Sequence, residues 1–194
     1  VIHDPATRRL LGRRWTTKAW IICDCGFEDR KRDVMGSNAP GGGAGWTNLF
    51  FLDEVTALAA GHRPCYFCRR DKAKEFADCL AKGLGIAMPS APSIDRRLHA
   101  ERLASRKNPS PAAMAPVDAA TLEALPDGAM LQHGGHSFAK RLGQFRAWNF
   151  SGWTCAVTRP ATFGAARLIT PASTVAALLA GYRPVWHPSI DGPE

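Results

Sequence analysis

The chain has 194 residues, enough for one sizeable domain or two small lobes, and its apolar fraction of 45% is that of an ordinary globular protein. Lys and Arg number 25 against 17 Asp and Glu, and the formal charge of +8 favours polyanions, nucleic acid first, over neutral partners. No window approaches the roughly 20 apolar residues of a membrane span, no basic-then-apolar leader opens the chain, and the six cysteines, two close pairs and two singles, do not read as a secreted disulfide framework. The expected setting is reducing and cytoplasmic, with no membrane contact.

The N-terminal segment is basic. Arg8, Arg9, Arg13, Arg14 and Lys18 meet a single acid, Asp4, and the arginines are candidate phosphate contacts. Trp15 to Cys23 is rich in aromatic and β-branched residues and predicts a strand. It ends in a thiol pair, Cys23-Asp24-Cys25. A charged stretch and the loop Gly41-Gly42-Gly43 follow, and Trp46 to Leu52 returns to strand-like chemistry. Asp53 is placed to cap a short helix over 54–60 that Gly61 ends. Pro64 then forces an extended backbone into a second thiol pair, Cys65-x-x-Cys68.

From Arg69 the spacing of Ala73, Phe76, Ala77, Leu80 and Leu84 predicts a helix, and a second begins near Ser93 with Ile94, Leu98 and Leu103 on one side. Residues 107–116, rich in Pro, Ser and Ala, predict a linker. Beyond it, apolar pieces at 128–132, 136–139, 144–150, 153–157 and 165–170 alternate with turns and predict an antiparallel sheet. A last helix over 172–180 ends at Gly181. Its tail, Gly181-Tyr182-Arg183-Pro184, echoes Gly61-His62-Arg63-Pro64, with Val185 where the first copy has Cys65.

Two close thiol pairs are the donor set of a tetrahedral zinc site: Cys23, Cys25, Cys65 and Cys68 are the candidate ligands. Thiols one residue apart on a strand point to opposite faces, so Cys23 and Cys25 share an ion only if the chain turns, which Gly26 would help. Otherwise His62 or a water takes the fourth place. Cys79 and Cys155 read as small core residues.

Asp95 and His99 stand at i and i+4 on one predicted helix face, and a histidine beside a carboxylate is a usable general base. With Glu101 they are the candidate catalytic groups of a hydrolase. His133-Gly134-Gly135-His136 reads as a hairpin turn. Lys140, Arg141 and Arg146 interleave with Phe145, Trp148 and Phe150, a pairing that suits phosphates and stacked bases or a sheet with its aromatics inward.

Thr16-Thr17, Cys23, Phe50-Phe51, the helix ending Ala59-Ala60-Gly61, and Arg63-Pro64-Cys65-x-x-Cys68-Arg69 together resemble the zinc-binding N-terminal domain of the Ada DNA-repair family. The resemblance spans residues 15–70. It implies a zinc fold with four cysteine ligands, DNA as the partner, and Cys23 at the position that accepts a methyl group from a methylated DNA phosphate. The family spaces its early pair by three residues where this chain has one, and Asp24 would repel an incoming phosphate. A zinc fold without methyl transfer is therefore expected.

The expected architecture is α+β: a zinc-stapled lobe over 1–106, a linker over 107–116, and a β-rich lobe with a C-terminal helix over 117–194. The expected function is a zinc-containing nucleic-acid-binding protein of DNA repair or processing. Zinc would aim Arg63, Arg69 and Arg70 at a phosphate backbone, and any hydrolysis would use His99 with Asp95 or Glu101. The rival classes are an enzyme on a small molecule with a purely structural zinc, and a non-catalytic adaptor that binds protein.

Overall fold

The computed structural model describes residues 2–13, 15–29, 33–107, 118–157 and 166–192. The expected linker therefore lies, but for Lys107, outside the described residues. Strands β1 (His3–Asp4) and β2 (Arg9–Leu10) form a small antiparallel hairpin. Buried His3 ties it to the loop that follows the glycine run, with Nδ1 2.6 Å from Thr47 Oγ1.

The strand expected over 15–23 contracts to β3 (Ile21–Ile22), which pairs in parallel with β4 (Arg63–Pro64). The ladder is short because Pro64 brings no N–H and the chain turns at once into the Cys65–Cys68 loop. The strand expected over 46–52 does not form: residues 46–50 have no ladder partners among the described residues, and Trp46, Leu49 and Phe50 are half exposed or more. Helix α1 (Glu54–Ala59) starts as expected from Asp53, in a capping box with Thr56. Helix α2 (Arg70–Leu84) buries Ala73, Phe76, Ala77 and Leu80. Helix α3 (Ala91–Lys107) begins just ahead of Ser93 and buries Ile94 and Leu98.

After the linker comes a short helix, α4 (Ala119–Ala124), that the hydrophobic pattern does not announce. Its only signal is Asp118, whose side chain accepts from the Thr121 N–H. The antiparallel meander is where the apolar pieces place it: β5 (Met130–His133), β6 (His136–Arg141), β7 (Gln144–Asn149) and β8 (Gly152–Val157). Strand β9 (Arg167–Leu168) returns to pair with β5, giving the order β8-β7-β6-β5-β9. Helix α5 (Ala172–Leu179) and a 3₁₀ turn over Pro188–Asp191 close the described chain. The architecture is α+β with a small antiparallel sheet.

The core ignores the linker. Leu58, Phe76, Leu80, Ile94 and Leu98 pack in one buried cluster with Leu122, Leu131, Phe145, Leu178 and Tyr182. A second cluster joins Val55 and Ala59 of α1 to Met130, Ala139, Trp153 and Ile190. Polar groups reinforce the join. The buried Glu54 carboxylate accepts from Tyr182 Oη (2.6 Å), the Val185 N–H (2.8 Å) and Arg69 (3.1 Å). Asp53 Oδ2 accepts from Trp153 Nε1 at 2.8 Å and the His187 N–H at 3.2 Å. A carboxylate removed from water needs such donors, and of these all but Arg69 come from beyond the linker.

The echo in sequence is an echo in geometry. Gly61 (φ +80°) and Gly181 (φ +109°) each end a helix in a conformation that a side chain would strain. Each glycine donates to the leucine three residues back, and His62 and Tyr182 each donate to the alanine five back.

Candidate metal centre

The β3–β4 ladder is what assembles the site. Its register, Ile21 opposite Arg63 and Ile22 opposite Pro64, brings the residue after one strand beside the residue after the other: Cys23 beside Cys65. The Arg63 N–H donates to Trp20 O and the Cys65 N–H to Ile22 O, both at 3.0 Å. Arg102 on α3 braces this join, donating to Gly61 O (2.6 Å) and Lys18 O (2.8 Å) with its guanidinium 4.3 Å from the Trp20 ring centre. Nothing in the local sequence around Arg102 signals that role.

The sulfurs of Cys23, Cys65 and Cys68 lie within 4.8 Å of one another, a group positioned to hold a metal ion. Backbone N–H groups point at two of them. Asp24 donates to Cys68 Sγ and Phe67 to Cys65 Sγ, each at 3.3 Å. These donors favour thiolate. Burial pushes the Cys23 thiol up to about 12, helped by the neighbouring charges of Cys65 and Cys68, and burial also raises Cys68. Burial acts most strongly on Cys65 too, in the raising direction, but the N–H groups of Cys68 and Phe67 together with hydrogen bonds from the Cys68 and Cys23 thiols bring it below its ordinary value. Three thiols this close share one negative charge comfortably and three only around a cation.

Cys25 is outside the group. The chain does turn at Gly26, but the Asp24 side chain closes that turn by accepting the Gly26 N–H at 3.0 Å. Cys25 is left exposed. His62 is outside it as well. Its ring lies 5.1 Å from that of Trp20 and 4.8 Å from that of Phe51. Its Nδ1 is buried with no hydrogen-bond partner among the described residues.

Burial first, and the charge of Arg102 second, lower the His62 imidazole to about 4. The unfolded chain titrates near ~6.5, so in acid it binds a proton that the folded chain refuses. Stability from this residue is complete above that value and drains as pH falls from ~6.5 towards 4, by roughly 3 kcal/mol. His62→Phe, which keeps a ring between Trp20 and Phe51, should flatten that segment of the urea-unfolding profile. Parallel profiles for variant and wild type would rule the account out.

The other expected site residues find different work. Arg63 and Asp95 pair with each other, Nε to Oδ1 and Nη2 to Oδ2, both at 2.9 Å and both buried. The Arg63 guanidinium and the Asp95 carboxylate are thus turned to each other, and Asp95 gives its strong acceptors to Arg63 rather than to His99. His99 is buried with its ring 4.4 Å from that of Trp15, and burial, Arg102 and Lys18 lower its pKa. Glu101 accepts from the backbone N–H and the hydroxyl of Ser173 and so anchors the first turn of α5. The expected acid–base set is thus distributed among three structural contacts. Arg69 is half-buried against Glu54. Arg8 pairs with Asp33 at the surface, whereas Arg9, Arg13 and Arg70 are exposed. Arg14 lies outside the described residues.

The interleaved segment of β6 and β7 also splits. Lys140 is buried, and its ammonium caps the end of α4 at Glu123 O. Phe145 is core, Arg141 lies 5.4 Å from the Trp186 ring, and only Phe150 stands fully in solvent. Comparison with protein-family models, curated proteins and solved structures returned no match for this chain.

Proposed function

We propose that the chain is a zinc-stapled nucleic-acid-binding protein that works on DNA in repair or processing, as the Ada resemblance implies. The observation that carries the metal half is the close group of Cys23, Cys65 and Cys68 sulfurs, two of them already receiving backbone N–H donors. Zinc suits it, being borderline-soft and content with thiolates in a tetrahedral shell. The metal would hold β3 and β4 together and fix the turn that starts α2.

The charge of +8 supports the nucleic-acid half, together with the exposed arginines Arg9, Arg13 and Arg70 and the exposed rings of Trp46 and Phe50. Hydrolysis has no place in this reading, because His99, Asp95 and Glu101 are each engaged elsewhere.

Metal analysis of the purified chain should find about one zinc, as a single site of this type holds. Anisotropy titrations with short single- and double-stranded DNA should show affinity falling steeply with added salt. Replacing Arg9, Arg13 and Arg70 with Gln should weaken binding and reduce the duplex salt slope by roughly 0.9 for each phosphate no longer neutralised. No binding to DNA or RNA at low salt would overturn the nucleic-acid half and return the protein to the small-molecule or adaptor class.

A further inference from the structure

Tetrahedral zinc needs four donors, and the described part of this chain brings three together. Cys25, the obvious fourth, is exposed in a turn that Asp24 closes, and the His62 ring lies against those of Trp20 and Phe51. No other cysteine or histidine among the described side chains joins the group, the loops and ends outside the described residues contain neither, and Cys155 stands in the sheet on β8. As residues, Cys65 is buried, Cys68 half-buried and Cys23 exposed, so the chain around Cys23 is the part of the site open to solvent. Phe27 and Phe67, ring centres 5.4 Å apart, lie beside it, one following the first thiol pair and one inside the second.

We infer that the zinc centre is a three-thiolate site whose fourth position belongs to a ligand from outside the protein: water at rest, exchangeable for an external thiolate. This rests on the metal reading above and goes beyond it. A closed site only staples, whereas a site with an exchangeable position also binds. Softness selects the incoming ligand, since a centre of three thiolates takes a fourth thiolate in preference to a harder oxygen donor. In the exchange the thiol gives its proton to solvent, its sulfur bonds to zinc, and the water leaves; no electrons are transferred. The fourfold cysteine set implied by the Ada resemblance does not fit this chain, because Cys25 stands exposed and outside the group of three sulfurs.

X-ray absorption at the zinc edge of the full chain, in thiol-free buffer, counts the donors. Three sulfurs and one light atom are expected, moving to four sulfurs when 2-mercaptoethanol is added. Cys25→Ser should keep the metal and both spectra unchanged, and Cys23→Ser should lose most of the zinc under mild chelation. Four sulfurs without added thiol, falling to three in Cys25→Ser, would overturn the inference and leave the metal reading standing. A chain that binds no metal would overturn both.

Discussion

Cys65→Ser should strip the metal from the chain and lower its melting temperature by roughly 10–15 °C. The proposed metal would join residues brought together by a ladder of only two pairs and braced by Arg102, so it would carry much of the hold of the N-terminal strand on β4. Structural zinc binds its ligands with apparent energies of about 10–16 kcal/mol in small peptides, and that energy is folding energy. Here the main core forms from apolar residues elsewhere, so only part of the binding energy registers as global stability. A net cost of about 4 kcal/mol at about 2–4 °C per kcal/mol for a chain of this size sets the expected shift. Calorimetry with and without chelator checks it. Chelated wild type should melt where the variant melts, and Cys25→Ser should melt with untreated wild type. A Cys65→Ser protein as stable as its parent would leave the metal no structural part.

Arg63→Met should cost roughly 3–5 kcal/mol, the expected penalty for stranding one partner of a buried ion pair. The Asp95 carboxylate would remain beneath the protein surface with both of its strong donors gone. Asp95→Leu should cost a similar amount by stranding the guanidinium. The double variant should recover most of the loss, because two apolar side chains of comparable size need no hydration. Urea denaturation of the four proteins closes the cycle. Additive costs would mean that the pair is not an energetic unit.

Local chemistry is legible in the sequence wherever the determinants sit close together. Asp53 and Thr56 are three residues apart and form their capping box; the glycines after α1 and α5 stop those helices; the Cys65–Cys68 turn needs only its own residues. The antiparallel meander is legible because alternation and turn residues repeat along a continuous stretch. What stays hidden depends on partners distant in the chain. An arginine looks the same whether it will face phosphate or Asp95, and only the docking of α3 on β4 decides for Arg63. Glu101 groups with His99 by proximity along the helix, yet its partner is Ser173, which α5 delivers. Lys140 lies among aromatic residues and suits a phosphate on sequence alone, but the unannounced α4 sets its C-terminal carbonyls against the ammonium. The strand from Trp15 fails for a related reason. β-branched and aromatic residues make a strand only where a partner edge exists, and β4 offers two residues, one of them proline.

The shared core bears on how the protein can change over time. Phe76 and Leu98 come from one side of the linker, Phe145 and Tyr182 from the other, and all four are buried in the same cluster. Glu54 and Asp53 bind the chain's last segment as closely as they bind their own helix. Neither half could be transplanted by recombination without exposing that cluster and stranding those carboxylates. The two halves must be inherited as one, and a substitution in the sheet is tested against the helices that shelter the cysteine-bearing strand as directly as one made beside the thiols.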